Sequence, residues 1–290
     1  MSTVPHTELP SPSANPAPST DPVCGTCALN NASQLLSLGV DVSGHDHVVA
    51  LAGNPNTGKS TVFNALTGLR QHVGNWPGKT VTGAEGGFGY RDRRYKLVDL
   101  PGTYSLLSTS EDEDVARDFL VFGRPDVTVV VVDATRLQRN LNLVLQILQI
   151  TGRVVLALNL VDEARRHGLS VDERHLAREL GVPVVPMAAR SRQGVPDLLE
   201  TVERVALGTV ATRARPVHHG DVRTERAVSE LAHRIQREYP ELANTRWIAL
   251  RLLEGDPGIE RAITDGTLGR LAPPAASTGS STGRSGETHS

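Results

Sequence analysis

The stretch Gly53-Asn54-Pro55-Asn56-Thr57-Gly58-Lys59-Ser60 constrains this chain more than any other. It fits G-x-x-x-x-G-K-[ST], a loop in which glycines let successive backbone N–H groups close around an anion. A helix that follows such a loop aims its N-terminal dipole at the same charge. The flanks suit the pattern: residues 48–52 (VVALA) read as a buried strand, and residues from Thr61 to Leu66 read as helix. Gly53, Asn54, Asn56, Thr57, Gly58, Lys59, Ser60 and Thr61 are therefore the candidate phosphate-binding residues. Lys59 is expected on the β- and γ-phosphates and Ser60 on Mg2+. Only Lys59, Lys79 and Lys96 are lysines, so a chance match is improbable.

A chain of 290 residues has room for one medium domain and a smaller one. Its net charge is −2, with no Lys/Arg block long enough to grip a phosphodiester backbone, and aromatics are 3%. No nucleic-acid partner is expected. The longest apolar runs, 127–132 and 154–158, fall far short of the roughly 20 residues of a membrane helix. No transmembrane segment and no secretory signal are expected, which points to a cytoplasmic location. Cys24 and Cys27 are too few for a disulfide framework.

Strands are expected at 48–52, 83–90, 95–99, 127–133, 154–158 and 182–187. Helices are expected at 59–66, 113–121, 137–150, 172–180 and 195–207. Arg91-Asp92-Arg93-Arg94 reads as a hairpin turn, which makes one edge strand antiparallel. The expected class is α/β, a doubly wound, mostly parallel sheet with one antiparallel edge strand and a small all-α appendage. Residues 1–44 read as mostly disordered apart from a possible short helix at 29–38. Residues 45–210 read as the sheet domain, 211–270 as the helical domain and 271–290 as a Pro/Ser/Thr/Gly tail. The segment 209–220 reads as a linker.

Three further pieces narrow the chemistry to guanine nucleotides. Asp99-Leu100-Pro101-Gly102 ends a strand, where the Asp reaches Mg2+ through water and the Gly102 N–H holds the γ-phosphate. Asn159-Leu160-Val161-Asp162 ends another. There the Asp162 carboxylate can accept both N–H groups of the guanine edge, with Asn159 bracing the loop; an ordinary Asx-type helix cap is the alternative. Last, Met187-Ala188-Ala189-Arg190 follows the final strand, where the Ala189 N–H could meet guanine O6.

Residues 53–67 (GNPNTGKSTVFNALT), 73–81 (VGNWPGKTV), 99–106 (DLPGTYSL) and 115–119 (VARDF) resemble the cytosolic GTPase region of the ferrous-iron transport protein FeoB. The likeness continues through Arg246-Trp247 to Asp256, in that family's helical domain, which restrains nucleotide release. The resemblance implies a slow, Mg2+-dependent GTPase acting on GTP and GDP. It makes Lys59, Thr80, Gly102 and Asn56 the catalytic set, with Ser60, Thr80 and Asp99 around Mg2+ and Asn56 on a K+ ion. Ordinary loop capping is the alternative for Asn56. Thr103 stands where Ras-like enzymes carry a water-orienting Gln, and Leu160 stands where many GTPases have Lys. Ala188 replaces the family's usual Ser. The resemblance further implies a multi-helix iron permease. Here the membrane-embedded permease is expected on another chain, with this one docked at the cytosolic face of the inner membrane, unless this is a detached regulatory paralogue or a truncated product. A stand-alone, potassium-stimulated GTPase of ribosome or RNA maturation is the competing function.

Cys24-x-x-Cys27 with His45 and His47 could hold a soft metal ion, or serve as exposed thiols, or do neither. His167, His218 and His219 read as solvent-facing. Glu111 to Asp114 is an acidic helix start, favourable against the dipole. Trp76 is expected to be packed in one nucleotide state and exposed in another, and Trp247 to be core.

Overall fold

The computed structural model describes residues 35–68, 71–77, 79–107, 110–210, 221–240 and 244–264, with residues 32, 212, 242 and 266 singly. Seven strands form one sheet in the order β2-β3-β4-β1-β5-β6-β7. They are β1 (His47–Gly53), β2 (Gln71–Asn75), β3 (Thr82–Tyr90), β4 (Arg93–Asp99), β5 (Val127–Asp133), β6 (Val154–Asn159) and β7 (Val184–Pro186). β1 runs parallel to β4 and β5, and β5–β6–β7 are parallel in turn. The Arg91-Asp92 turn makes β3 antiparallel to β4, and β2 pairs antiparallel to β3 outside it. Strand order reverses at β1, so the loop after β1 opens into the crevice where such sheets bind ligands.

Valine-rich runs with no polar alternation demand cover on both faces. Every residue of β5 is buried. Val129 and Val131 join Val49, Leu51, Phe63, Leu198 and Val202 on one face. Val130 and Val132 join Ala50, Phe119, Leu143, Ile147 and Trp247 on the other. Helices α1 (Lys59–Thr67) and α6 (Val195–Ala206) cover the first face. The second face takes α2 (Glu111–Asp118) and α3 (Leu137–Ile150). Two shorter helices, α4 (Val161–Arg166) and α5 (Glu173–Leu180), link the last strands.

The appendage is helical as expected: α7 (Val222–Glu238), α8 (Thr245–Leu253) and α9 (Pro257–Thr264). Trp247 is core, 4% exposed, in the same apolar cluster as Phe119. The helices meet the sheet domain at a charged corner. Arg117 of α2, itself buried, lies 3.0 Å from Asp114, 2.8 Å from Asp118 and 3.9 Å from Asp256, the residue ahead of α9. Asn244 Nδ2 donates to the Val121 carbonyl across the same seam.

The structure departs from the sequence reading in four places. β2 was not expected, because Gln-His-Val-Gly-Asn carries a single β-branched residue and hydrogen-bonds on one side only. α4 has six residues and no apolar period. β7 covers only 184–186. The helix expected at 113–121 starts two residues earlier, where Ser110 accepts from the Glu113 N–H, and ends at Asp118. Beyond it Phe119–Gly123 is a π-helical turn with all five residues buried. A short helix is present at residues 35–37. Cys24, Cys27, His218, His219, most of the 209–220 segment and the tail lie outside the described residues.

Removing the Arg117 guanidinium takes the shared cation from Asp114, Asp118 and Asp256, and leaves Asp114 with Lys79 alone, at 4.0 Å. Burial already pushes the Asp118 carboxyl up, with Arg117 opposing. Arg117→Ala is expected to cost about 3–5 kcal/mol in urea unfolding, the usual penalty for half-deleting a buried ion pair. An unchanged midpoint would show that the corner contributes nothing.

Candidate nucleotide-binding site

The loop after β1 is shaped by two close approaches. A Cβ on Gly53 would stand 2.6 Å from the Val131 carbonyl oxygen of the neighbouring strand. One on Gly58, whose φ is +84°, would collide with the Asn159 amide. Between them Asn56 adopts φ +66°, which asparagine tolerates better than other non-glycine residues. Thr57 Oγ1 donates to the Asn54 carbonyl at 2.9 Å and tightens the turn.

Gly58 is the N-cap of α1, which has no side-chain cap and no acidic residue in its first turn. Its first N–H groups therefore have no side-chain acceptor, and the helix dipole is left for an anion. Ser60 and Thr61 are exposed on that first turn. Lys59 Nζ forms an ion pair with Asp99 at the end of β4. Burial holds the Asp99 carboxyl above its usual range, with the Lys59 ammonium opposing. Asn54 is 2% exposed, and both polar atoms of its side chain lack a hydrogen-bond partner. The Asn56 side chain is exposed.

The Asp-x-x-Gly segment lies against this loop. Leu100 N donates to the Leu51 carbonyl at 2.9 Å, and a Cβ on Gly102 would touch Pro55 at 3.5 Å. Thr103 is buried. Thr80 stands elsewhere. Its hydroxyl donates to Glu111 Oε2 at 2.6 Å, with no bond to Ser60 or Asp99, and this bond holds the Glu111 carboxyl below its usual range. The Mg2+-ligand role implied for Thr80 is thus not formed in this arrangement. Glu111, at the α2 dipole, is the acceptor that competes for its hydroxyl. Trp76 is packed, edge-on to Phe119 at 5.6 Å.

Asn159, 1% exposed, joins two loops. Its Nδ2 donates to the Thr57 carbonyl at 3.0 Å, and its Oδ1 accepts the Ala189 N–H at 3.0 Å. The bracing expected of Asn159 is therefore present, and it corrects the reading of Ala189. That N–H goes to Asn159, because a buried amide oxygen must find a donor. The Ala188 N–H is likewise used, by the Gln193 carbonyl. Leu160, at φ +62°, is the N-cap of α4 with no side-chain cap, so neither Asn159 nor Asp162 is an Asx cap. Asp162, 46% exposed on the first turn, lies 3.7 Å from Arg166.

The histidines paired with the Cys motif are engaged in other ways. His45 Nδ1 lies 3.1 Å from the Ser43 carbonyl, and His47 stacks on Tyr95. Among the described residues no group of three or more His, Cys, Asp or Glu could hold a metal ion. His167 is exposed, as expected. Sequence reasoning missed the partnership of Glu111 with Thr80, although the acidic run was visible. It also missed Tyr104, Arg136 and Arg139, which with residues 54–57 and Leu160 line a cavity of about 680 Å3.

A phosphate loop after β1, Asp-x-x-Gly after β4 and Asn-x-x-Asp after β6, on this strand order, define the G domain of a P-loop GTPase fold. The family model for ferrous iron transport protein B matches residues 47–202, and that for the FeoB cytosolic helical domain matches 221–278. The chain belongs to the FeoB family. It is 41% identical over 212 residues to the Fe(2+) transporter FeoB of Salmonella typhimurium, covering 72% of this chain. It spans only about 27% of the length of such curated relatives. The cytosolic domain of L. pneumophila FeoB superposes with TM-score 0.68 at 34% identity, covering 77% of this chain and 88% of that one. The cytosolic domain of T. maritima FeoB in a GDP form does so with TM-score 0.68 at 37% identity, covering 79% and 87%. No helix among the described residues is long and apolar enough to cross a membrane.

Cutting the Asn159 bridge should disconnect the two loops. Asn159→Ala strands the buried Ala189 N–H, at a cost of about 1–3 kcal/mol. Guanine-nucleotide affinity should fall at least tenfold in a fluorescent-GDP titration. Asn159→Asp keeps an acceptor but sets a carboxylate against the Thr57 carbonyl, and should not rescue. Full affinity in either variant would show that the bridge is irrelevant to binding.

Proposed function

We propose that the chain binds GTP with Mg2+, hydrolyses it slowly, and uses the nucleotide state to regulate ferrous-iron transport through a membrane-embedded permease. One observation carries the reading. The Asn159 amide ties the uncapped N-terminal loop of α1 to the Ala189 loop, setting a phosphate cradle and a base-facing edge on one rigid unit. In this reading residues 45–210 are the G domain and 211–270 the helical domain, at the cytosolic face of the membrane.

The Lys59–Asp99 pair suits an exchange of partners. Lys59 would turn to the β- and γ-phosphates, and Asp99 would be freed for the water shell of Mg2+, so neither charge is left alone. Ser60 and Thr80, the latter once released from Glu111, would hold Mg2+, which would offset charge on the phosphate oxygens. The Gly102 N–H holds the γ-phosphate, and Thr103 offers no base. The Asp162 carboxylate would take the guanine edge, and Asn56 would hold K+ to offset charge beside the phosphates. The ribosome or RNA alternative gains nothing from the structure, since the appendage matches the FeoB helical domain.

Two outcomes test this reading. Asp162→Asn should weaken GTP binding by about 1–3 kcal/mol in calorimetry, since its charge-assisted bonds are lost. GTP hydrolysis should run several-fold faster in KCl than in NaCl at equal ionic strength, and Asn56→Ala should abolish that difference while leaving GDP binding intact. A rate indifferent to the cation would remove Asn56 from the catalytic set.

A further inference from the structure

The segment Trp76 to Thr80 is held from a side that the family match does not cover. Residues 35–46 precede the matched region, which starts at 47. A tight turn closes them, with Gly39 N donating to the Leu36 carbonyl and Val40 N to that of Leu35, both at 2.9 Å. Leu35 and Val40 are each 1% exposed and belong to one apolar cluster with Trp76, Val81 and Phe119. Gly39, at φ +85°, has Pro77 packed on the very face where a side chain would stand. Leu35 and Leu38 reach over Gly123 of the π-helical turn, 3.3 and 3.2 Å from where its Cβ would be. Opposite, Trp76 covers Gly83 and meets Phe119 edge-on.

Trp76 and Pro77 are thus pressed between residues 35–40, the π-helical turn and β3. We propose that residues 35–42 are a built-in strap that holds this segment with Thr80 on Glu111, and so slows nucleotide exchange. The proposal rests on reading Thr80 as the switch threonine. Moving Thr80 from Glu111 to a metal drags Pro77 and Trp76, only three and four residues away. The strap contacts exist in the docked arrangement and are lost when the segment leaves. A contact with that differential shifts the population toward the docked state. Residues 35–42 act as an intramolecular ligand for the switch. Glycine at 39 and 123 is what lets the layers meet.

The test uses the full chain with Trp247→Phe, leaving Trp76 as the sole tryptophan. Gly39→Ala drives a methyl into Pro77, and Leu35→Asp puts a charge in the buried anchor. Both residues precede β1. With unchanged far-UV circular dichroism, each variant should raise acrylamide quenching of Trp76 at least threefold without nucleotide. Each should also speed release of fluorescent GDP by a similar factor. Unchanged quenching in both variants overturns the strap. Raised quenching with an unchanged release rate overturns its control of exchange. Trp76 shielding is read without nucleotide, so its failure is distinct from failure of the GTP reading, which GDP binding by the unmutated protein reports.

Discussion

The Asn159 carboxamide is the contact on which the rest of the site depends. It is buried at the end of β6, and both its donor and its acceptor are spent on other loops, Thr57 on one side and Ala189 on the other. A buried polar group without partners costs more than a paired one returns, so the two loops are held at a fixed separation. Gly58 follows from that constraint, since any side chain there would occupy the place of the amide. The sheet supplies the frame, because β1 and β6 flank β5 and are buried throughout save His47 at the start of β1.

Around this unit the polar and charged side chains are arranged in pairs. Lys59 holds Asp99, Thr80 holds Glu111, and Lys79 lies 4.0 Å from Asp114. Asp114 in turn lies 3.0 Å from Arg117, which faces Asp256 in the helical appendage. A ligand that recruits Lys59 and Thr80 must release Asp99 and Glu111. The second release occurs on the helix that carries Arg117. Lys79, Asp114, Arg117 and Asp256 thus form a line of charges from the segment that carries Thr80 to the seam between the two domains.

Much of this was legible in the residues. β5 and α3 have the expected bounds, because an unbroken valine run and a strong helical period leave no competing structure. The phosphate loop was legible because its glycines answer to backbone geometry that few residues can meet. Other features depend on tertiary partners. β2 exists only because β3 offers it a free edge. The π-helical turn at 119–123 owes its form to burial of all five residues. The use of the Ala189 N–H could not be read from Met-Ala-Ala-Arg, since its acceptor lies 30 residues away. The place of Thr80 was set by Glu111, a pairing across 31 residues that no local pattern signals.

One amide-braced unit is expected to select a guanine nucleotide. The most direct measurement is a calorimetric titration of the unmutated protein with GDP, GTP and ATP, each with Mg2+. Saturable binding of GDP and GTP, with ATP weaker by at least a hundredfold, is the predicted result. Comparable affinity for ATP and GTP would contradict it, because the phosphate loop alone would then account for binding and Asp162 would have no role in choosing the base.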